Sequence, residues 1–184
     1  MDYFESLVKT LLEQDGYWVR QSYKVHLTPE QKVQIGKPSM PRPEIDLLAC
    51  KPTKKTIIAL EVKSYLDSIG VRYDDLDVPQ PYTVPQGRYK LFTCQNYRKI
   101  VFDALLDELI EAGMAEEGWS IQIGLAAGKI HQNRADDLRR YFYQKGWFLW
   151  TPEEIRDRVS DLATIGYEND PVVIAAKLLE RNRP

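Results

Sequence analysis

The spacing of hydrophobic residues divides the first third of the chain into a helix and three strand-like segments. Residues 2–14 are predicted to form a helix, because their hydrophobic side chains recur three and four positions apart. Residues 17–27 carry the β-branched and aromatic side chains that favour strands, and the largely apolar residues 43–50 are predicted to form a second strand. The apolar run 56–65 follows a turn rich in lysine, so it is predicted to form a hairpin with the segment before that turn.

The second half of the chain alternates helices with strands. The same criteria predict four elements there: helices at 95–113 and 134–146, and strands at 120–130 and 147–150. The start signal Thr151-Pro152 opens a pair of short C-terminal helices. This order predicts an α/β fold with a central mixed sheet flanked by helices over residues 1–150, and a helical pair at 151–184 packed on the same domain.

Three segments have weaker patterns. Residues 28–42 are predicted to form a loop, with a short strand at 32–35 as its one regular element. Residues 66–88, rich in proline and aspartate, are predicted to be an irregular connection, which a lid or a substrate-guiding loop would explain. Residues 89–94 fit either a short strand or the lead-in to the next helix.

Composition limits the class of protein. The chain has 184 residues, of which 43% are hydrophobic and 28% charged, as in a soluble globular protein with a substantial core. The net charge of −2 means that any nucleic-acid contact must come from a local group of cations. Cys50 and Cys94 suggest no disulfide framework, which indicates a reducing compartment. Without a membrane-length apolar run or a signal-peptide pattern, a cytoplasmic protein with no membrane partner is predicted.

Two acidic residues interrupt the apolar hairpin. Asp46 lies between apolar neighbours of its first strand, and Glu61 follows four apolar residues of its second strand. If Lys51 pairs with Thr56 across the turn, the same register places Asp46 opposite Glu61 on one face. Lys63 shares that face with Glu61, because residues two apart in a strand point to the same side.

Charged side chains are costly to bury unless they are paired or bind a metal. One interpretation is a surface hairpin in which Glu61 and Lys63 form an exposed ion pair. The other is a metal site, in which a divalent cation between Asp46 and Glu61 replaces repulsion by shared ligation. The apolar strands and the second acid favour the metal site.

Asp46, a turn, and then Glu61-Val62-Lys63 resemble the core motif of the PD-(D/E)xK nuclease superfamily, which has the restriction-endonuclease-like fold. The predicted helix at 2–14, which carries Glu5, is similar to the opening helix of archaeal Holliday-junction resolvases. The resemblance implies an αβββαβ core. In one departure from the family pattern, the proline stands three positions before Asp46, which makes Glu44 a second candidate for its role.

The resemblance implies a metal-dependent nuclease that hydrolyses phosphodiester bonds, with DNA as its substrate. Asp46, Glu61 and the backbone carbonyl of Val62 would hold Mg²⁺, for which Mn²⁺ can substitute. Lys63 would assist the attacking water or stabilise charge that develops on the phosphate.

Two further catalytic candidates lie on the predicted helices. Glu5 has an alternative role, because it could complete a capping box with Asp2. The resemblance favours a supporting role for Glu5 at the metal site. Gln95 is a candidate because members of the superfamily often carry a glutamine and basic residues on the helix after the Glu-x-Lys strand.

Phosphate contacts are predicted from the basic residues near these elements: Lys24, Lys37, Arg42 and Arg98. The alternative is that these cations are simply solvated, in a loop or in a first helical turn. Two other functions stay open: a catalytically silent nucleic-acid-binding or assembly module of the same fold, and a different enzyme built on a metal-bound carboxylate pair. The complete set of Asp46, Glu61 and Lys63 favours the nuclease, and homodimerisation is left open.

Overall fold

A computed structural model describes residues 2–78, 80–166 and 168–180 of the chain. Met1, Pro79, Tyr167 and residues 181–184 lie outside this description, so the predictions for 66–88 and 151–184 are assessed on the remaining residues. The described chain forms a five-stranded sheet in the order β1-β2-β3-β4-β5. The strands are β1 (Trp18–Lys24), β2 (Glu44–Lys51), β3 (Thr56–Lys63), β4 (Ser120–Ala127) and β5 (Phe148–Trp150).

The sheet is mixed, as predicted. β1 and β3 both pair with β2 in the antiparallel direction, whereas β4 pairs parallel to β3 and to β5. The helices are α1 (Tyr3–Gln14), α2 (Pro29–Gln34), α3 (Lys90–Thr93), α4 (Gln95–Glu111), α5 (Ala135–Lys145), α6 (Pro152–Leu162) and α7 (Pro171–Glu180). The parallel strands need crossover connections, and the helical segments between β3 and β4 and between β4 and β5 supply them.

Helices cover both faces of the sheet. On the face that we call the α4 face, Ile57 and Ala59 of β3 share a buried cluster with side chains of α4 and α5. On the opposite face, the α1 face, Ile58 and Leu60 share a second cluster with side chains of α1, α6 and α7. Burial on both faces explains why β3 has a nearly continuous apolar sequence rather than an alternating one. The C-terminal helices α6 and α7 therefore pack on the same sheet as the rest of the chain.

The hairpin register agrees with the prediction as far as Leu47 opposite Leu60, but the predicted pairing of Asp46 with Glu61 does not form. Lys51 pairs with Thr56, and the antiparallel ladder continues to Leu47 opposite Leu60. A short 3-10 turn at Pro52–Lys54 connects the strands, and Lys55 closes it with a positive φ of 49°. The register is thus fixed by a short turn and by two buried faces, since a slip of one residue would move every side chain to the wrong face.

The prediction of a short strand at 32–35 is wrong, because the chain forms α2 there. Thr28 caps this helix: its hydroxyl accepts a hydrogen bond from the Gln31 N–H at 3.2 Å, and the Gln31 side chain accepts one from the Thr28 N–H at 2.9 Å. Pro29 occupies the first turn of the helix. This reciprocal cap, with proline at the helix start, is a local signal that outweighs the β-branched residues further along the segment.

The structure also defines the other two segments with weak patterns, 66–88 and 89–94. Residues 90–93 form α3, and an extended conformation at Cys94 separates it from α4. The described part of 66–88 is irregular, as predicted, apart from a 3-10 turn at Tyr73–Asp75. This connection is anchored at Val71 and Leu76, which are buried in the cluster on the α4 face. Its action as a lid stays a prediction.

Gly128 holds the end of β3 in place. Its N–H donates to the Lys63 carbonyl at 2.8 Å, and a Cβ atom there would lie 2.4 Å from the Ser64 carbonyl oxygen. We expect Gly128→Ala to lower the free energy of unfolding by about 2 kcal/mol, because a backbone oxygen cannot move away without disturbing β3. Thermal unfolding should show a Tm lower by about 4–8 °C.

Gly166→Ala is the matched control for this substitution. A Cβ atom at Gly166 would meet nothing within 4 Å, so its Tm should stay within about 1–2 °C of the wild-type value. A Gly128→Ala protein that unfolds at the wild-type temperature would contradict the close approach of Gly128 to the Ser64 backbone.

Candidate active site

Asp46 lies where the pairing of β2 is interrupted. The register between β1 and β2 runs to Gln21 opposite Leu47 and resumes at Tyr23 opposite Ile45. The intervening Ser22 has a positive φ of 56°, in the left-handed region that non-glycine residues rarely adopt.

This interruption reverses the faces of β2. In a regular strand, Ile45 and Leu47 would point to the same side. Instead Ile45 is buried in the cluster on the α4 face and Leu47 in the cluster on the α1 face. The ladder with β3 also ends at Leu47, one pair before Asp46. The Asp46 carboxylate turns toward β3, where its Oδ2 accepts a hydrogen bond from the Val62 N–H at 2.8 Å.

Lys63 joins the two acids. Its Nζ lies 2.9 Å from Glu61 Oε2 and 3.2 Å from Asp46 Oδ2. The same Nζ also donates to the Val62 carbonyl at 3.2 Å. One cation therefore contacts all three oxygen groups that were predicted to hold the metal. Both carboxylate oxygens lie within ion-pair distance of the same Nζ, so they belong to one site.

The exposure of these side chains tests the first of the two interpretations of the hairpin, the exposed ion pair. The side chains of Asp46 and Lys63 are each 19% exposed and that of Glu61 is 13% exposed. Glu61 and Lys63 therefore do not form an exposed surface ion pair. The charges lie in a partly buried cluster, where losing one partner is costly for the others.

Electrostatics in this cluster follow from burial and from the neighbouring charges. Burial raises the pKa of Glu61 above its ordinary value, with Lys63 opposing the shift and Asp46 adding to it. Burial by itself would lower the pKa of Lys63, but the attraction of Glu61 and of Asp46 outweighs it and raises that pKa. Lys63 is therefore a protonated cation at neutral pH.

Glu5 reaches the site from α1. Asp2 caps α1 by accepting a hydrogen bond from the Phe4 N–H at 2.8 Å, while the Glu5 side chain points away from the cap toward β1. Glu5 Oε2 accepts from Gln21 Nε2 at 3.0 Å. Burial raises the pKa of Glu5, and the charge of Asp46 contributes to the shift. Glu5 thus contacts Gln21 of β1, and its supporting role at the metal site stays a prediction.

Three residues that were not predicted also lie near the site: Gln21, Lys90 and Tyr97. The attraction of Lys90 acts on Glu61, and its Nζ lies 5.6 Å from the centroid of the Tyr97 ring. Gln21 has no local signal, because its partner Glu5 is distant in sequence and the two meet only when α1 packs on the sheet.

Gln95, the predicted candidate on α4, is exposed in the first turn of that helix. Tyr97, two residues further along α4, is buried on the face of the sheet to which the alternation of β3 assigns Glu61.

The predicted phosphate contacts lie in different environments. Lys37 and Arg42 are exposed on the segment between α2 and β2. Lys24 lies 3.8 Å from Glu44, so the second acid of β2 pairs with a lysine at the surface rather than with the Lys63 cluster.

The Arg98 guanidinium donates to the carbonyls of Leu91 and Phe92 at 2.8 and 3.1 Å, where it connects α3 to α4.

The donor set fits a hard divalent cation. Two carboxylates and a backbone carbonyl converge on the position of Lys63 Nζ, and oxygen ligands of this kind suit Mg²⁺ or Mn²⁺. Within the described ranges, no group of three or more His, Cys, Asp or Glu side chains is arranged as a metal site. The resemblance implies the Val62 carbonyl as the third protein ligand.

Comparisons with known proteins leave the chain without an assigned family. No protein-family model matches it, and no match is found among curated proteins or solved structures. In the described part of the chain, no helix combines the length and the apolar character that crossing a membrane requires.

Proposed function

We propose that this protein is a metal-dependent nuclease of the PD-(D/E)xK type that hydrolyses phosphodiester bonds in DNA. The observation that carries the proposal is the convergence of the Asp46 and Glu61 carboxylates and the Val62 carbonyl on one cation, the ammonium of Lys63. A cluster of oxygens that already holds a monovalent cation is suited to exchange it for a divalent one. The proposal requires Lys63 to leave this position when the metal enters.

The order of elements supports the same proposal. The described chain begins with α1, β1, the short helix α2, the β2–β3 hairpin, α3, α4 and β4, in which the first three strands are antiparallel and the fourth is parallel to the third. Apart from the short helices α2 and α3, this order is compatible with the αβββαβ core that the resemblance implies. The acids lie at the end of the hairpin, where β2 departs from regular pairing.

Each residue of the cluster has a distinct role in this proposal. Asp46, Glu61 and the Val62 carbonyl would hold the metal, which when bound polarises the phosphate and lowers the pKa of water. Lys63 would act as a positive hydrogen-bond donor toward the phosphate or the attacking water. Hydrolysis adds the water oxygen to phosphorus and transfers a proton to the leaving oxygen.

A cleavage assay tests the proposal directly. The protein would be incubated with single-stranded, double-stranded and branched DNA and with RNA, in Mg²⁺, in Mn²⁺ or in chelator. We expect metal-dependent cleavage of at least one DNA substrate and none in chelator. Tight binding of nucleic acid without cleavage under any of these conditions would instead identify a non-cutting module of the same fold.

Binding to DNA should depend on a few cations, because the net charge is only −2. We expect the double substitution Lys37→Ala and Arg42→Ala to weaken binding of all sequences alike and to reduce the slope of log Kd against log salt by about 2. Fluorescence anisotropy across a salt series measures this slope.

Lys99→Ala is the control for the salt series, because Lys99 is exposed and already paired with Asp103 at 2.5 Å. Its binding slope should equal that of the wild type. A wild-type affinity that does not change between low and physiological salt would exclude binding through the phosphate backbone.

A further inference from the structure

Tyr97 carries a buried hydroxyl that has no partner. Its side chain is fully buried, with 0% of its surface exposed. Among the described residues, the Tyr97 hydroxyl and the indole N–H of Trp119 are the two buried side-chain polar groups that make no hydrogen bond. A buried hydroxyl without a partner is costly, and phenylalanine would fill the same space without that cost. The hydroxyl therefore calls for a functional explanation.

The position of Tyr97 relates this hydroxyl to Glu61. Tyr97 lies on α4 and packs in the cluster on the α4 face. Glu61 belongs to the same face, because side chains alternate along β3 and Ile57 and Ala59 point to that side. Burial, followed by the negative charge of Glu61, raises the pKa of the Tyr97 phenol. The phenol and the carboxylate therefore belong to the same face of the sheet, and they are not hydrogen-bonded to each other in this structure.

Glu61 has a different partner in this structure. Its Oε2 is held by Lys63 Nζ at 2.9 Å. If Glu61 ligated a metal in place of this contact, its carboxylate would need another hydrogen-bond donor to fix its orientation. Carboxylates that ligate metals are themselves held by outer hydrogen bonds, which tune both geometry and affinity.

We infer that Tyr97 is a positioning residue, which donates its phenolic hydrogen bond to Glu61 once Lys63 has moved away and so orients that carboxylate for the metal. The inference rests on the proposed metal site, and it assigns a role to a residue outside the Asp46, Glu61 and Lys63 set. In this structure the hydrogen bond is unmade, and the buried hydroxyl has no partner. Tyr97 touches neither metal nor substrate, and it acts through Glu61.

The experiment compares Tyr97→Phe with the full-length wild type in calorimetric titrations with Mn²⁺ and Mg²⁺ and in thermal unfolding without metal. We expect the metal affinity to fall by about 10-fold or more, the usual effect of losing an outer hydrogen bond to a ligand. The metal-free Tm should stay equal to that of the wild type or rise, because the substitution removes an unpaired buried hydroxyl. A merely structural tyrosine would show a lower Tm and an unchanged affinity.

Tyr141→Phe is the matched control. Tyr141 packs against the same core cluster, but its hydroxyl has a partner, since it donates to the Leu76 carbonyl at 3.2 Å. This control should lower the Tm by about 2–4 °C and leave the metal affinity unchanged. A near-ultraviolet difference spectrum provides a second readout: metal should perturb tyrosine absorption in the wild type and in Tyr141→Phe, but not in Tyr97→Phe.

The outcomes separate this inference from the proposed function. If the wild type binds metal and Glu61→Gln abolishes binding, the metal site stands, and an unchanged affinity in Tyr97→Phe then overturns the role of Tyr97 alone. A wild type that binds no divalent cation overturns both. A metal-induced tyrosine signal that persists in Tyr97→Phe also contradicts the inference, because another tyrosine would then produce it.

Discussion

Replacing either acid by its amide, in Asp46→Asn or Glu61→Gln, is expected to abolish metal binding and to lower the rate of DNA cleavage by on the order of 10³-fold or more. Each substitution removes one of the two anionic ligands but preserves the shape of the side chain. In Asp46→Asn, the amide oxygen of the new side chain can still accept the hydrogen bond that the Val62 N–H now gives to Asp46 at 2.8 Å. The variants should therefore fold, and the loss should be specific to the metal.

Metal titration by calorimetry and single-turnover cleavage measure the two consequences separately. Glu44→Gln is the control on the same strand, because Glu44 pairs with Lys24 at the surface at 3.8 Å. It should bind metal and cleave as the wild type does, which also decides whether Glu44 shares the role of Asp46. An Asp46→Asn protein that retains full metal affinity would falsify the proposed ligand set.

Lys63→Ala is expected to separate catalysis from metal binding. Its rate of cleavage should fall by on the order of 10²-fold or more, the scale for losing one stabilising group at a reacting centre. Its affinity for Mg²⁺ should be equal to or higher than that of the wild type, because a cation that contacts Glu61 and Asp46 at 2.9 and 3.2 Å no longer competes for them.

Stability gives a readout of Lys63→Ala that does not depend on activity. Without metal, the substitution leaves two partly buried carboxylates facing each other, and we expect the free energy of unfolding to fall by on the order of 3 kcal/mol. Added Mg²⁺ should restore much of this loss, because a ligand of the folded state stabilises it by mass action. Thermal unfolding with and without Mg²⁺ measures both effects.

Lys63→Arg tests the chemistry of the cation. A planar guanidinium keeps the charge but cannot reproduce the compact ammonium between three oxygens, so the rate should stay well below that of the wild type. A Lys63→Ala protein that cleaves at the wild-type rate would show that Lys63 serves only as the ion-pair partner of the acids. Loss of metal affinity in that variant would also argue against displacement of Lys63 by the metal.

The sequence by itself determined the elements whose signals are local. The period of α1 and α4, the alternation of helices and strands, and the hairpin with Lys51 opposite Thr56 were all predicted and confirmed. The start of α6 was predicted for the same reason, because Thr151 and Glu154 form a reciprocal cap within one helical turn. Such patterns lie within a few residues of one another, where periodicity and capping act directly. The cap of α2 was equally local and was missed, although Thr28 and Gln31 carry the same signal.

The candidate site depended on both levels. Residue types and spacing identified Asp46, Glu61 and Lys63. Charged side chains are costly to bury, so two acids and a lysine within apolar strands indicate a site. The orientation of Asp46 was decided by tertiary structure, since the left-handed conformation of Ser22 interrupts pairing and turns the carboxylate toward Val62. No pattern within β2 encodes that change of face.

Tertiary packing alone decided which distant residues join the cluster. Glu5 meets Gln21 because α1 packs across β1, and Tyr97 is buried on the opposite face of the sheet because α4 packs there. Packing also half-buried Arg98 and connected it to carbonyls of α3. A local pattern gives the period of an element and the face that it buries, but it does not give the partner across that face. That choice is made by the shape and the buried area of the assembled core.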